Sequence, residues 1–243
     1  MIKNKKILAI ITARAESKGV PMKNVKPLLN KPLFIWSILA AINSQFVDKI
    51  VVSSNCEAVK KQYLKFNKNH NNLYWIQRPD EYATDTSKNE EALIHAYKTM
   101  KENINFDSDI IINLQPTSPC RLNNLLDKCI EEYCNGYDSL LTASKDTPFI
   151  WQKKHGNWVY NVDKNDYCNR KMRQEFNEDE FIFHDCGNVY MTNSKVLLQK
   201  ECRIGNNPYI YEVSGINGLQ IDTAFDFKLI EKMAEVQNID TLI

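Results

Sequence analysis

The segment Thr12-Ala-Arg14-Ala-Glu-Ser17-Lys18-Gly19-Val-Pro21-Met-Lys23-Asn24 gathers Arg14, Lys18 and Lys23 around a hydroxyl, a glycine and a proline. Arginine offers phosphate oxygens a planar fork of donors, and lysine offers a point charge. Ser17 adds a hydroxyl, while Gly19 and Pro21 shape a loop that can approach a triphosphate closely. The competing reading is a solvated basic loop. Position argues against it: the segment follows the apolar run Ile7 to Ile11, and open α/β sheets bind ligands just past the carboxyl ends of their strands.

Other clusters carry polar groups suited to a ligand. Gln115-Pro-Thr117-Ser118-Pro119-Cys-Arg121 also follows an apolar run, and its prolines fix a tight path; alone, it reads equally well as a helix cap. Arg78 could meet a base edge, and Thr84 to Ser87 could turn backbone groups toward a pyrimidine, while Thr86 or Ser87 could also start a helix. Asn169-Arg170-Lys-Met-Arg173-Gln174 concentrates cations that suit a carboxylate, against the plainer reading of a solvated run. In Gln220-Ile-Asp222-Thr-Ala-Phe-Asp226, Asp222 could hold Mg²⁺ against phosphate oxygens or simply open a helix.

The elements that must position these residues follow from apolar periodicity. Strands are expected at Ile7–Ile11, Ile50–Val52, Leu73–Ile76, Asp109–Asn113 and Ser139–Ala143. Helices are expected at Leu33–Ile42, Glu57–Phe66, Asn89–Met100 and Leu122–Tyr133. Unalternating apolar strands separated by helices predict an α/β, Rossmann-like fold with a mostly parallel sheet covered by helices on both faces. After about residue 145 the rhythm changes. A hairpin is expected around His155-Gly-Asn157, then a polar stretch without periodicity from Asp163 to Asp185, then a strand at Asn188–Met191. A last helix over Thr223–Val236 opens with a capping box, Thr223 with Asp226. All 243 residues are expected to form a single domain, with 145–187 as an inserted subdomain or dimerisation arm.

Composition narrows the function classes. An apolar fraction of 43% and a charged fraction of 25% suit a soluble globular chain. A formal charge of +1 gives no bulk electrostatic case for binding nucleic acid or a membrane surface. No apolar run approaches the roughly 20 residues of a spanning helix, and the first leads straight into Arg14 rather than to a cleavage site. The 7 cysteines are odd in number, scattered and without zinc spacing, which fits reduced thiols in the cytoplasm. Neither Gly-x-Gly-x-x-Gly nor the Walker pattern occurs, which argues against a dinucleotide oxidoreductase and a Walker-type NTPase.

Taken together, the motifs resemble the acylneuraminate cytidylyltransferases, the CMP-sialic acid synthetase family. Ala13 to Asn24 matches the family pattern Ala-Arg-x-x-Ser-Lys-Gly-x-Pro-x-Lys-Asn at every fixed position, and Leu114-Gln-Pro-Thr-Ser-Pro-x-Arg121 matches its second motif. Arg78-Pro79, Asp85-Thr86, Arg173-Gln174 and Ile221-Asp222-Thr223 with Asp226-Phe227 follow in the family's order. The resemblance spans essentially the whole chain. It implies a cytoplasmic nucleotidyltransferase that joins CTP to a nonulosonic, sialic-acid-like sugar acid, giving the CMP-sugar and pyrophosphate, with Mg²⁺ or Mn²⁺ as cofactor. Members are usually homodimers whose inserted arm reaches the partner's site.

The resemblance also implies roles. Arg14, Ser17, Lys18 and Lys23 would bind the triphosphate, and Asn24, Arg78 and Ser87 the cytidine. Gln115, Thr117, Arg173 and Gln174 would face the sugar acid, with Arg173 near its carboxylate, and Asp222 would hold the metal. Catalysis would rest on Arg14, Lys23, Gln115 and Asp222. No phosphatase-like segment follows, so a single activity is expected. The chain departs from the family pattern at Gln220 and Asn55, each in place of an Asp, and at Cys186, in place of the Asn before Gly187. These departures touch the metal and sugar sides and bear on which sugar acid is used. A Kdo-like eight-carbon acid is the alternative substrate, disfavoured by the turn from Gln115 to Pro119. A catalytically inactive nucleotide-binding homologue is the alternative from another class, and Gln220 is the feature that speaks for it.

Overall fold

A computed structural model of the chain describes residues 4–15, 19–160 and 167–238. In chain order the first part carries β1 (Ile7–Thr12), β2 (Pro27–Leu28), β3 (Lys31–Pro32), α1 (Leu33–Ile42), β4 (Lys49–Ser54), α2 (Glu57–Phe66) and β5 (Leu73–Gln77). Then come α3 (Asn89–Ile104), β6 (Ile110–Asn113), α4 (Leu125–Tyr133) and β7 (Ser139–Asp146). The second part holds the hairpin β8 (Trp151–Lys154) and β9 (Asn157–Tyr160), the long β10 (Ile182–Asn193), α5 (Ser194–Lys200), β11 (Pro208–Val213) and α6 (Ala224–Val236).

The central sheet has 7 strands in the order β11-β7-β10-β6-β1-β4-β5. It is the mostly parallel, Rossmann-like sheet that the apolar strands predict, with β10 reversed between β6 and β7. Both faces are covered, which explains why β1 lacks polar alternation. Ile7, Ala9 and Ile11 pack with Phe34 and Ile38 of α1, Val59 of α2 and Ile130 of α4. On the other face Leu8 and Ile10 meet Leu93, Ala96, Tyr97 and Met100 of α3. A separate apolar cluster joins Val20, Leu28 and Trp36 to Ile221, Phe227 and Ile230, so the stretch after β1 is packed against the start of α6.

Local chemistry sets several boundaries. α4 begins at Leu125 rather than Leu122, because Asn123 and Asn124 hold positive φ (61° and 57°), a conformation asparagine tolerates and a helix does not use. The hairpin turn places His155 (φ 49°) and Gly156 (φ 86°) in the left-handed region that two-residue hairpins require. α6 starts from the expected capping box: the Asp226 amide donates to Thr223 Oγ1 at 3.2 Å, and the Thr223 amide donates to Asp226 Oδ2 at 2.7 Å.

The later strands differ most from expectation. β7 continues to Asp146 and β10 already starts at Ile182, and the two pair from Ile182–Asp146 onward. The excursion from the sheet therefore runs from Thr147 to Phe181, and part of the polar stretch expected at 163–185 lies outside the described residues. Among the described residues, no helix is long and apolar enough to cross a membrane.

Candidate active site

β1, β4, β5 and β6 run parallel, so the loops that follow them emerge at one edge of the sheet. The strand order reverses beside β1, with β4 and β5 on one side and β6 on the other, and the crevice at such a switch point is where open sheets bind ligands. A cleft of about 350 Å³ opens there. Arg14, Lys23 and Asn24 line it from the first loop, Arg78 and Ser87 from the stretch after β5, and Gln115 and Thr117 from the turn after β6. Ser17 and Lys18 lie outside the described residues.

The first loop is tied down on two sides. Arg14 Nη1 donates to Thr84 O at 2.8 Å, and its Nη2 pairs with Asp85 Oδ1 at 3.2 Å. Asn24 Nδ2 donates to Arg14 O at 2.9 Å, so this amide holds the loop's path while facing the cleft. On the other side Lys23, only 8% exposed, donates to Ile221 O at 2.5 Å and lies 3.9 Å from Asp222 Oδ1. Gly19 packs directly on the Asp222 backbone, where any Cβ would collide with the Asp222 carbonyl oxygen. Burial pulls the Lys23 ammonium below the usual lysine range, with the Asp222 carboxylate partly opposing it.

The cleft's other groups are equally well braced. Arg78 is 4% exposed; its Nη2 donates to Ser53 O at 2.6 Å and its Nε to Ser53 Oγ at 3.2 Å. Burial, with the nearby Arg14 charge, brings its pKa down to about 10. Ser87 Oγ donates to Glu81 O at 2.7 Å and accepts from the Thr84 amide at 3.1 Å, which closes the 81–87 turn beneath Arg14. Thr117 Oγ1 lies 3.5 Å from Gln115 Oε1, and the Thr117 carbonyl accepts from the Ile221 amide at 2.8 Å. Arg121 is buried and donates to Asn188 O, Gln115 O and Ser37 Oγ, so this residue of the second motif holds the turn and does not face ligand.

The family follows from the match of this same stretch. Residues 8–185 match the family described as Cytidylyltransferase. The chain belongs to the cytidylyltransferase family. It is 28% identical to N-acylneuraminate cytidylyltransferase A of Danio rerio over 95% of its own length, and it spans about half of that protein (51%). It is 27% identical to the pseudaminic acid cytidylyltransferase of Campylobacter jejuni, covering 96% of this chain and 98% of that protein. Among solved structures, CMP:2-keto-3-deoxy-manno-octonic acid synthetase complexed with CTP superposes with a TM-score of 0.67 at 14% identity, covering 96% of this chain and 99% of that one, which shows a shared fold.

Some cytidylyltransferase residues had no local signal. Tyr82, Lys88 and Asn89 line the cleft, and Asn89 Nδ2 donates to Asn113 Oδ1 at 2.8 Å, which fixes the start of α3 against the end of β6. Asn55, where the family pattern has Asp, accepts from the Ala15 amide and donates to Asp80 Oδ1, both at 3.0 Å. A carboxylate at 55 could not make the second bond, so the amide is matched to Asp80.

Of the expected site residues that are described, Arg173, Gln174 and Asp222 are absent from the cleft's lining. Arg173 and Gln174 lie on the excursion after β7. Both are exposed in a single 3-10 turn, Arg173–Glu175, and the Arg173 guanidinium lies 5.8 Å from the Phe149 ring centroid. Asp222 is not among the residues that line the cleft; it lies 3.9 Å from Lys23 Nζ with its side chain 73% exposed. Among the described residues, no group of three or more His, Cys, Asp or Glu is placed to hold a metal. Mg²⁺ needs only one or two protein carboxylates where phosphates and water supply the remaining oxygens, and Asp222 fits that requirement. Gln220 brings no charge to it; its Nε2 donates to Asp185 O at 2.9 Å, and its Oε1 lies against Gly187.

Proposed function

We propose that this cytidylyltransferase couples CTP to a nonulosonic, sialic-acid-like sugar acid in the cytoplasm, releasing pyrophosphate. One observation carries the reading: the cationic loop of Arg14 and Lys23 is locked onto the Asp222 segment and opens into the same cleft as Arg78, Ser87, Gln115 and Thr117. A triphosphate set against Arg14 and Lys23 directs its base toward Arg78 and Ser87 and its α-phosphorus toward Gln115. The anomeric hydroxyl of the sugar acid then attacks the α-phosphorus in line and gives up its proton to water, and the bond from that phosphorus to the bridging oxygen of pyrophosphate breaks. Charge that develops on the departing pyrophosphate is neutralised by the fixed cations of the loop. Asp222 would hold Mg²⁺ or Mn²⁺, which when bound spreads phosphate charge.

The likeness to relatives that act on nine-carbon acids, together with the Gln115-to-Thr117 end of the cleft, favours those over a Kdo-like eight-carbon acid. We read the enzyme as a homodimer in which the excursion 147–181 supplies Arg173 to the partner's sugar site. Support comes from Arg173 being exposed and absent from the lining of its own cleft, on an excursion that also exposes Trp151, Trp158 and Met172.

The test is pyrophosphate release from CTP, ATP, GTP and UTP with a panel of N-acetylneuraminic, legionaminic, pseudaminic and 2-keto-3-deoxy-manno-octonic acids. Release is expected with CTP and a nine-carbon acid only, and it should require Mg²⁺ or Mn²⁺. Arg14→Ala should lose at least about tenfold in CTP turnover, equivalent to about 1.4 kcal/mol, and Asp222→Asn should lose activity without unfolding. No release with any acid would reject the reading in favour of an inactive homologue, and an Arg14→Ala variant within twofold of wild type would remove the loop from the phosphate.

A further inference from the structure

Past the nucleotide loop, the acceptors beside this cleft converge on Gly187. β10 changes register between Asp185 and Tyr190, and Gly187 sits in that irregularity with φ 63°. A Cβ there would come within 2.7 Å of Gln115 Oε1 and 3.2 Å of Gln220 Oε1, so two amide oxygens press against the bare Cα. The Gly187 amide donates to Asp185 Oδ1 at 2.9 Å, and the Tyr190 hydroxyl lies 2.7 Å from both oxygens of the same carboxylate. Tyr190 is itself buried beneath the Arg203 guanidinium, 4.1 Å from its ring centroid, and Arg203 pairs with Glu90 at 3.3 Å.

Asp185 is therefore an exposed carboxylate on a rigid mount beside Gln115. Its backbone carbonyl is held by Gln220 Nε2, and its side chain is aimed by Tyr190 and Gly187. Among the described residues, Oδ1 accepts from Gly187 and shares the single Tyr190 proton, whereas Oδ2 has that shared proton alone and keeps acceptor capacity to spare. We propose that Asp185 is a sugar-binding residue, its Oδ2 accepting a hydrogen bond from an O–H or N–H of the sugar acid seated at the Gln115 end of the cleft. Its charge also repels the substrate's own carboxylate, so it favours the orientation that turns that carboxylate away from β10. The inference rests on the sugar-acid reading above and deepens it.

The experiment is steady-state pyrophosphate release by the full chain with CTP and each of the four acids, for wild type, Asp185→Asn, Asp185→Ala and Tyr190→Phe, with melting curves alongside. A charge-assisted bond should make Asp185→Asn raise the KM of the sugar acid by roughly tenfold, with the KM of CTP and the melting temperature unchanged. Asn keeps an oxygen for Gly187 and Tyr190, so this variant tests binding even where Asp185→Ala fails to fold. Tyr190→Phe, which loosens the aim of the carboxylate, should raise the same KM by less. Sugar KM unchanged in Asp185→Asn, or both KM values rising together with a lowered melting temperature, would overturn the proposal and leave Asp185 a brace of the β10 irregularity. A wild type that releases no pyrophosphate with any acid would instead reject the underlying reading, and the inference with it.

Discussion

In the proposed reaction Lys23 would have to be charged to meet phosphate, yet it sits where burial disfavours charge. Its lowered pKa gives the reaction an alkaline limit. As pH rises through that value the loop loses a cation, so kcat/KM for CTP should fall at a pH below the ordinary lysine value of 10.5. Lys23→Arg keeps its charge and should move that limb upward; an unmoved limb would show that another group titrates. The stability linkage has the opposite sense. Between the lowered pKa and 10.5 the unfolded chain binds more protons at this residue, so its contribution to folding stability rises with pH there. At this scale the sequence was informative where residue type and position both stood out: Arg14, Lys23, Asn24, Arg78, Ser87, Gln115 and Thr117 all line one cleft. What it hid were partners far along the chain, such as Ile221 O for Lys23 and Asn113 for Asn89, because nothing local marks them.

The segment that carries Asp222 is held by a helix start. Asp226 Oδ2 accepts from the amides of Asp222 and Thr223 and from Thr223 Oγ1, so one carboxylate caps α6 and fixes the backbone beside Gly19 and Lys23. Thr223→Ala should cost about 1 kcal/mol of stability, and it should also weaken CTP binding because Asp226 Oδ2, which holds the Asp222 amide, loses its hydroxyl partner. Melting curves with and without CTP separate the two effects: a variant stabilised by CTP as much as wild type would confine the cap to folding. Helices with clean periodicity and no competing turn chemistry, α1 and α2, begin and end where the sequence predicts. β11 and the first half of β10 were not legible, since their alternating or polar, exposed residues resemble the surface loops around them. Only pairing with β7 makes them strands.

At the scale of the whole molecule, the proposed dimer, with an arm that completes the partner's site, would make each active centre a property of two chains. Mixing inactive Asp222→Asn with Arg173→Ala should then restore pyrophosphate release, because one hybrid site combines an intact cleft with an intact arm. If Arg173 serves its own cleft the mixture stays as inactive as its parts, and if it serves none Arg173→Ala is active by itself. The contact of Gly19 with Asp222 has a consequence of another kind, in time rather than in space. During synthesis the ribosome delivers Arg14, Lys23, Arg78 and Gln115 early, but the backbone against which Gly19 and Lys23 settle comes much later, with 198 positions separating Lys23 from Ile221. A nascent chain thus holds nearly all the cations of the site while lacking the wall that shapes them. CTP in the cell can protect the finished enzyme from unfolding, but it cannot help the growing chain until Ile221 and Asp222 have cleared the exit tunnel.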